Sequence, residues 1–216
     1  MRTLIISGGS IDTDLALELL KEPYERKIAV DGGAGFCYEH GITPTEIVGD
    51  FDTLDAKILN WYEEHTAAGI RRFNPIKDAT DTQIAVELAL ELGSTAITLL
   101  GGTGTRLDHV LGNIQTLYLP LVRGVDCQIL DRHNRIRLIR ERHVIRKSEQ
   151  YGTCFSLLPY TEDVYGVTLR GARYPLEEHH MTVYGTGSLG VSNEIAGEQV
   201  EITMKSGILV LIESKD

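Results

Sequence analysis

The sequence predicts a doubly wound, mainly parallel α/β domain followed by an antiparallel β-sandwich or barrel. Three observations carry this. Up to about residue 120, short β-branched runs alternate with helical patterns, as crossover connections of a parallel sheet require. After residue 123 the apolar runs are short and punctuated by Gly and Pro, with no helical pattern between them. Charge divides in the same place: residues 1–120 hold 9 Lys and Arg against 18 Asp and Glu, and residues 121–216 hold 12 against 13. The expected domains are therefore 1–123, an α/β domain, and 124–216, a β-rich domain, with the strand at 127–130 still open to joining the first sheet.

In the first domain, strands are expected at 3–7, 27–30, 46–48, 70–73 and 96–100, each a compact run rich in Ile, Val, Leu or Thr. Helices are expected at 15–20, 56–67, 82–92 and 109–119, where apolar residues recur three and four apart and so cover a sheet with one face. The second domain's strands are expected at 127–130, 136–139, 154–158, 164–169, 200–204 and 208–212.

Composition narrows the function. A chain of 216 residues that is 42% hydrophobic buries one generous core or two modest ones. The apolar run at the N-terminus is too short for a signal-peptide core, and no segment is long enough to span a membrane, so a cytoplasmic protein is expected. Cys37, Cys127 and Cys154 are widely spaced and form no CxxC pair, which indicates neither disulfides nor a thiolate zinc site. A net charge of -10 argues against nucleic acid as partner.

Ligands of open α/β sheets bind beyond the carboxyl ends of the strands. Four consecutive strand ends here run into Asp31-Gly32-Gly33-Ala34-Gly35, Gly49-Asp50-Phe51-Asp52-Thr53, Lys77-Asp78-Ala79-Thr80-Asp81 and Gly101-Gly102-Thr103-Gly104-Thr105-Arg106-Leu107-Asp108-His109. Each feature alone has a bland reading, since Asp before a helix is a common cap and Gly-Gly a common turn. Together they line carboxylates along one edge. Asp50 and Asp52, two residues apart, converge only if a cation offsets their repulsion, and hard oxygen donors select Mg²⁺. Such an ion would also let an acidic site accept a polyphosphate. Gly101 and Gly102 open a turn whose backbone N–H groups are unobstructed by Cβ atoms, a helix start near Asp108 adds positive potential, and Arg106 offers a fork donor. No GxxxxGK[ST] loop is present, and Leu107 stands where a dinucleotide fingerprint needs its third Gly.

The ordered set of these motifs closely resembles the thiamine diphosphokinase (thiamine pyrophosphokinase) family. It extends through Gly41-Ile42-Thr43-Pro44, Gly112-Asn113, Gly166-Val167-Thr168-Leu169, Tyr174-Pro175-Leu176 and Gly190-Val191-Ser192-Asn193-Glu194, nearly the whole chain. The resemblance implies a homodimer that transfers pyrophosphate from ATP to the thiamine hydroxyl and releases AMP. It implies that Asp50, Asp52, Asp81 and Asp108 form the catalytic set around Mg²⁺ and polyphosphate, with Asp50, Asp52 and Asp81 as metal ligands. Lys77 and Arg106 would neutralise phosphate oxygens; Asp31, Gly32, Gly33, Thr80, Gly101, Gly102 and His109 complete the nucleotide and phosphate set. Ser192 and Asn193 would contact thiamine. Thr53 replaces the usual Ser and Thr105 the usual Gly, and the latter puts a Cβ on the phosphate loop.

Other features take simpler readings. His133, His143, His179 and His180 match no standard metal-ligand spacing. The Arg-rich stretch Arg132, Arg135, Arg137, Arg140, Arg142, Arg146 and Lys147 could suggest RNA contact, but its alternation with Ile136, Leu138 and Ile139 reads as a half-exposed strand with a charged outer face. Trp61 reads as helix packing. Asp50-Phe51-Asp52-Thr53-Leu54 also resembles the opening of aspartate-nucleophile phosphatases, but Leu54 stands where that motif needs Thr or Val. A non-catalytic nucleotide or thiamine sensor would have less need of so many carboxylates.

Overall fold

The computed structural model describes residues 1–52, 54–73, 79–185 and 189–216, which fall into two compact units, Met1–Arg132 and His133–Asp216. The first unit is built on β1 (Arg2–Ile6), β2 (Arg26–Val30), β3 (Glu46–Gly49), β4 (Gly69–Arg72), β5 (Ala96–Leu100) and β6 (Asp126–Leu130). These lie in the order β4-β3-β2-β1-β5-β6, and every neighbouring pair is parallel. Leu4, Ile5, Ile6, Ile28, Ile47, Val48, Ile97 and Leu99 are buried, so the central strands read as continuous apolar runs rather than alternating ones. Chain order reverses between β1 and β5, which makes that gap the sheet's topological switch point.

The unit's helices are α1 (Thr13–Leu19), α2 (Gly32–Glu39), α3 (Ala56–His65), α4 (Asp81–Glu91), α5 (Leu107–Thr116) and α6 (Tyr118–Val122). Most have visible start signals. The side chains of Asp12, Asp55 and Thr80 accept from the backbone N–H of Leu15, Lys57 and Gln83, capping α1, α3 and α4. Helix α2 was not expected, because Gly32-Gly33-Ala34-Gly35 reads as a turn. Packing demands it nonetheless: a Cβ on Gly33 would collide with the carbonyl of Ile6, so the first turn of α2 lies directly against β1. The expected boundary at 123/124 differs from the observed division at 132/133, because β6 pairs parallel to β5 and completes the first sheet.

The second unit contains β7 (Asn134–Ile139), β8 (His143–Arg146), β9 (Cys154–Pro159), β10 (Asp163–Arg170), β11 (Leu176–Thr182), β12 (Gln199–Thr203) and β13 (Leu209–Ser214). It has one antiparallel run in the order β7-β13-β9 and a four-stranded antiparallel sheet in the order β11-β10-β12-β8. Phe155, Leu157, Leu209 and Leu211 from the first run share one core with Val164, Val167, Val200 and Ile202 from the second. That is a sandwich, as expected.

The Arg-rich stretch departs from its sequence reading. Ile136 and Leu138 are buried and alternate with Arg135 and Arg137, yet those arginines do not form a solvated face. Each is only 18% exposed, and both engage Glu213 on β13. Glu213 is fully buried and lies directly across from Arg135 in the strand register.

Candidate active site

A cleft of about 630 Å³ opens at the switch point of the first unit. Its walls are the segments that follow β1 (residues 7–10), β2 (Asp31 and Gly32) and β5 (residues 101–106), together with the first turns of α4 and α5. Ligand pockets of open parallel sheets lie at this place because strand ends and helix N-termini diverge there.

The loops after β1 and β5 are fastened to each other. Gly9 N donates to Gly101 O at 3.0 Å and Ser10 N to Thr103 O at 2.8 Å. A Cβ on Gly9 would collide with the Gly101 carbonyl, and one on Gly101, whose φ is 66°, with that of Ser7. Glycine is what lets the two backbones approach so closely. The buried Ser7 and Thr82 hydroxyls, 2.7 Å apart, tie the β1 loop to α4, and Asn113 Nδ2 donates to Gly102 O at 2.8 Å, tying the β5 loop to α5.

Of the expected nucleotide and phosphate residues, Asp31, Gly32, Thr80, Gly101, Gly102, Arg106 and His109 line this cleft, and Asp81 lines it too. Thr80 also caps α4, its hydroxyl accepting from Gln83 N at 3.2 Å. Gly33 is not a lining residue; its place is the contact between α2 and β1. Asp50, Asp52 and Asp108 are not among the lining residues. Lys77 lies outside the described residues.

Asp50 and Asp52 sit just beyond β3, next to Asp31. Asp52 N donates to Asp50 Oδ1 at 3.1 Å, and Phe51 N to Asp31 Oδ1 at 3.4 Å. The backbone is strained on both sides of this contact: Asp31 has φ 42° and ψ -113°, and Phe51 has φ 61°. Non-glycine residues in such conformations cost roughly 1–3 kcal/mol each and persist where the surroundings over-determine them, commonly at functional sites. Gly49 makes the arrangement possible, because a Cβ there would overlap the Asp31 carboxylate. The Phe51 ring is nearly buried, and Arg72 from the end of β4 lies over it at 5.4 Å.

Arg106 holds Asp108 in a two-point contact, with Nη2 to Oδ2 at 2.6 Å and Nε to Oδ1 at 3.3 Å. The contact lowers the Asp108 pKa and raises that of Arg106. Both side chains are about two-thirds exposed, at 69% and 65%, so this pair is weakly held and open to exchange with a ligand anion.

Ser192 and Asn193 belong to the second unit. Ser192 is exposed, has φ 58°, and its N–H donates to Ser156 Oγ at 3.1 Å. The Asn193 side chain is committed internally: Nδ2 donates to Tyr174 O at 2.8 Å, and Oδ1 accepts from Tyr174 N at 3.1 Å and Glu194 N at 2.9 Å. Its geometry holds the loop that carries Ser192.

Sequence reasoning missed the residues after β1 (7–10) and Thr82, and it quoted Thr103 and Asn113 within motifs without giving them a site role. The signal for the first was present: Gly8-Gly9 follows a strand as plainly as Gly101-Gly102 does.

Similar proteins now bear on this geometry. The family model described as thiamin pyrophosphokinase, catalytic domain, matches residues 17–129, and that described as thiamin pyrophosphokinase, vitamin B1 binding domain, matches residues 142–209. The chain belongs to the thiamin pyrophosphokinase family. The thiamine pyrophosphokinase of Bacillus subtilis strain 168 is 31% identical over 217 residues, covering 100% of both chains. A crystal structure of the thiamine pyrophosphokinase from Bacillus subtilis superposes with a TM-score of 0.87 at 31% identity, again covering 100% of both chains. The thiamin pyrophosphokinase of Geobacillus thermodenitrificans gives 0.83 at 29% identity, covering 100% of this chain and 98% of its own. Membership of the thiamin pyrophosphokinase family matches the fold, a parallel α/β unit followed by an antiparallel sandwich. Among the described residues, no helix is long and apolar enough to cross a membrane.

Thiamin pyrophosphokinase chemistry is driven by ATP and typically needs a divalent metal. Among the described residues no three His, Cys, Asp or Glu side chains gather into a preformed metal cage. Mg²⁺ takes hard oxygen donors and fills its remaining positions with phosphate oxygens and water. Asp50 and Asp52, joined through one backbone N–H, supply hard oxygen donors of that kind.

Proposed function

We propose that this chain transfers the pyrophosphoryl group of ATP to the primary hydroxyl of thiamine, giving thiamine diphosphate and AMP. The observation that carries the reading is the full-length match, in chain order, to a catalytic and a vitamin B1 binding domain. The switch-point cleft supports it, lined by the glycine-rich turn after β5 and by Asp31 and Asp81.

Phosphoryl-type transfer is mainly positioning and charge stabilisation, with attacking and leaving oxygens in line. In this reading the loop after β5 receives the polyphosphate, and Asp31, Gly32, Thr80 and His109 border the nucleotide. Arg106 exchanges Asp108 for phosphate oxygens, and Lys77 adds a second cation. Asp50, Asp52 and Asp81 would hold Mg²⁺, which offsets the negative charge between carboxylates and polyphosphate. Asp81 orients the thiamine hydroxyl or takes its proton as that oxygen bonds to the β-phosphorus, and the bond from the β-phosphorus to the bridging oxygen breaks, so that the oxygen leaves with AMP. Ser192 contacts thiamine, and Asn193 fixes the loop that presents it. The proposal includes a homodimer, a cytoplasmic setting and no nucleic-acid partner.

One incubation tests the activity: purified protein with thiamine, ATP and Mg²⁺, analysed for thiamine diphosphate and AMP together. Equal amounts of both are expected. ADP with thiamine monophosphate would make the protein a single-phosphate kinase, and inorganic phosphate released without thiamine would favour a phosphatase.

A further inference from the structure

Four successive carbonyls at the end of β5 are each already occupied. Leu100 O accepts from Ser7 N at 2.9 Å, Gly101 O from Gly9 N at 3.0 Å, Gly102 O from Asn113 Nδ2 at 2.8 Å and Thr103 O from Ser10 N at 2.8 Å. Three of these donors are backbone groups of the β1 segment. The fourth is a side chain, from α5. Among the described residues, none of the N–H groups of residues 101–105 donates to a protein acceptor. The loop therefore spends its acceptors on the protein and keeps its donors.

We propose that Asn113 is a positioning residue for the phosphates of the nucleotide, acting through the Gly102–Thr103 peptide. A trans peptide points its C=O and N–H in opposite directions. Tying Gly102 O to α5 thus aims the Thr103 N–H away from that helix, and both residues line the cleft. Without the tie this peptide is the one in the series free to rotate, because Gly102 lacks a Cβ and its carbonyl has no backbone donor. A rotated peptide would offer a phosphate the lone pairs of a carbonyl, and the attraction would become repulsion. Asn113 is 5% exposed, and its NH₂ must face Gly102 O because that oxygen can only accept. Asn113 therefore sets the polarity of the cradle without needing to touch the ligand.

The inference rests on the nucleotide reading of the cleft, and two measurements keep it separable from that reading. Steady-state kinetics compare the wild type with Asn113→Asp, which is isosteric but cannot donate when ionised, and with Asn113→Leu, which keeps the bulk and drops the donor. The expected result is a rise of about tenfold or more in KM for ATP, larger for Asp than for Leu, with KM for thiamine within about twofold of wild type. A structural role would lower the unfolding midpoint and the active fraction but leave the KM for ATP where it was, and that outcome overturns the inference. If Asp prevents folding, the Leu variant carries the same readout. Calorimetric binding of inorganic triphosphate is the second measurement. Should the wild type form no thiamine diphosphate, the proposed activity fails. The inference then still stands if triphosphate binds the wild type at least about tenfold more tightly than Asn113→Asp, and falls if the two bind alike.

Discussion

The two units place their carboxylates in opposite circumstances. In the first, Asp52 and Asp108 are exposed and Asp50 and Asp81 only partly covered; Asp50 accepts one backbone N–H and Asp108 is held by one exposed arginine. In the second, Glu213 is fully buried and accepts from Arg135 at 2.7 Å, from Arg137 at 3.1 Å and from Tyr151 N at 3.1 Å. Removing one partner from a buried ion cluster strands the rest, whereas an exposed pair contributes little to stability. Loosely held charges can rearrange around a ligand, and tightly held ones fix a fold. In the proposed function, chemistry falls to Asp50, Asp52 and Asp108, while Glu213 serves the architecture of the sandwich.

The sharpest way to break the contrast is Asp52→Asn. It should lower turnover by about a hundredfold or more and leave the urea midpoint within error of wild type; near-normal turnover would remove Asp52 from the metal site. Glu213→Gln should do the reverse, costing about 3–5 kcal/mol in urea titrations while the folded fraction keeps its KM for ATP. Arg106→Ala is expected to raise KM for ATP about tenfold without moving the unfolding midpoint, since its pair with Asp108 is exposed. The smallest effect concerns pH. Burial pushes the Glu213 pKa up, but the combined pull of Arg135, the Tyr151 N–H and Arg137 carries it below its ordinary 4.5. A carboxylate with a lowered folded pKa contributes stability that is complete above about pH 4.5 and is lost as pH falls through the folded value. Urea midpoints measured from pH 7 to 3 should therefore fall more steeply for the wild type than for Glu213→Gln.

Much of this was legible from residue patterns, and the gaps have physical causes. Buried parallel strands announce themselves as unbroken apolar runs, so β5 was expected at 96–100, where it lies, and β1 within a residue of Arg2–Ile6. Strands β8 and β11 were missed, and both are edges of the four-stranded sheet. An edge strand such as Leu176–Thr182, with Glu-Glu-His-His at its centre, lacks the apolar signature of a central one. Helix α2 was hidden because tight packing on β1 requires glycine, the residue that weakens a helix pattern. In the cleft, the strand-end rule found the segments after β2 and β5, while Asn113, though quoted within a motif, was given no role and Thr82 was invisible. Their roles depend on partners 11 and 75 residues away, Gly102 O and Ser7 Oγ.

The paired distortions at Asp31 and Phe51 set a limit on how this protein can be improved. Glycine at either position would adopt the same backbone angles without a Cβ clash, so selection for heat resistance alone would favour it here, as at Glu178 and Ser192, whose φ is also positive. A laboratory lineage hardened in that way should melt later and work less, and stabilising libraries are better spent on the sandwich than on the ends of β2 and β3.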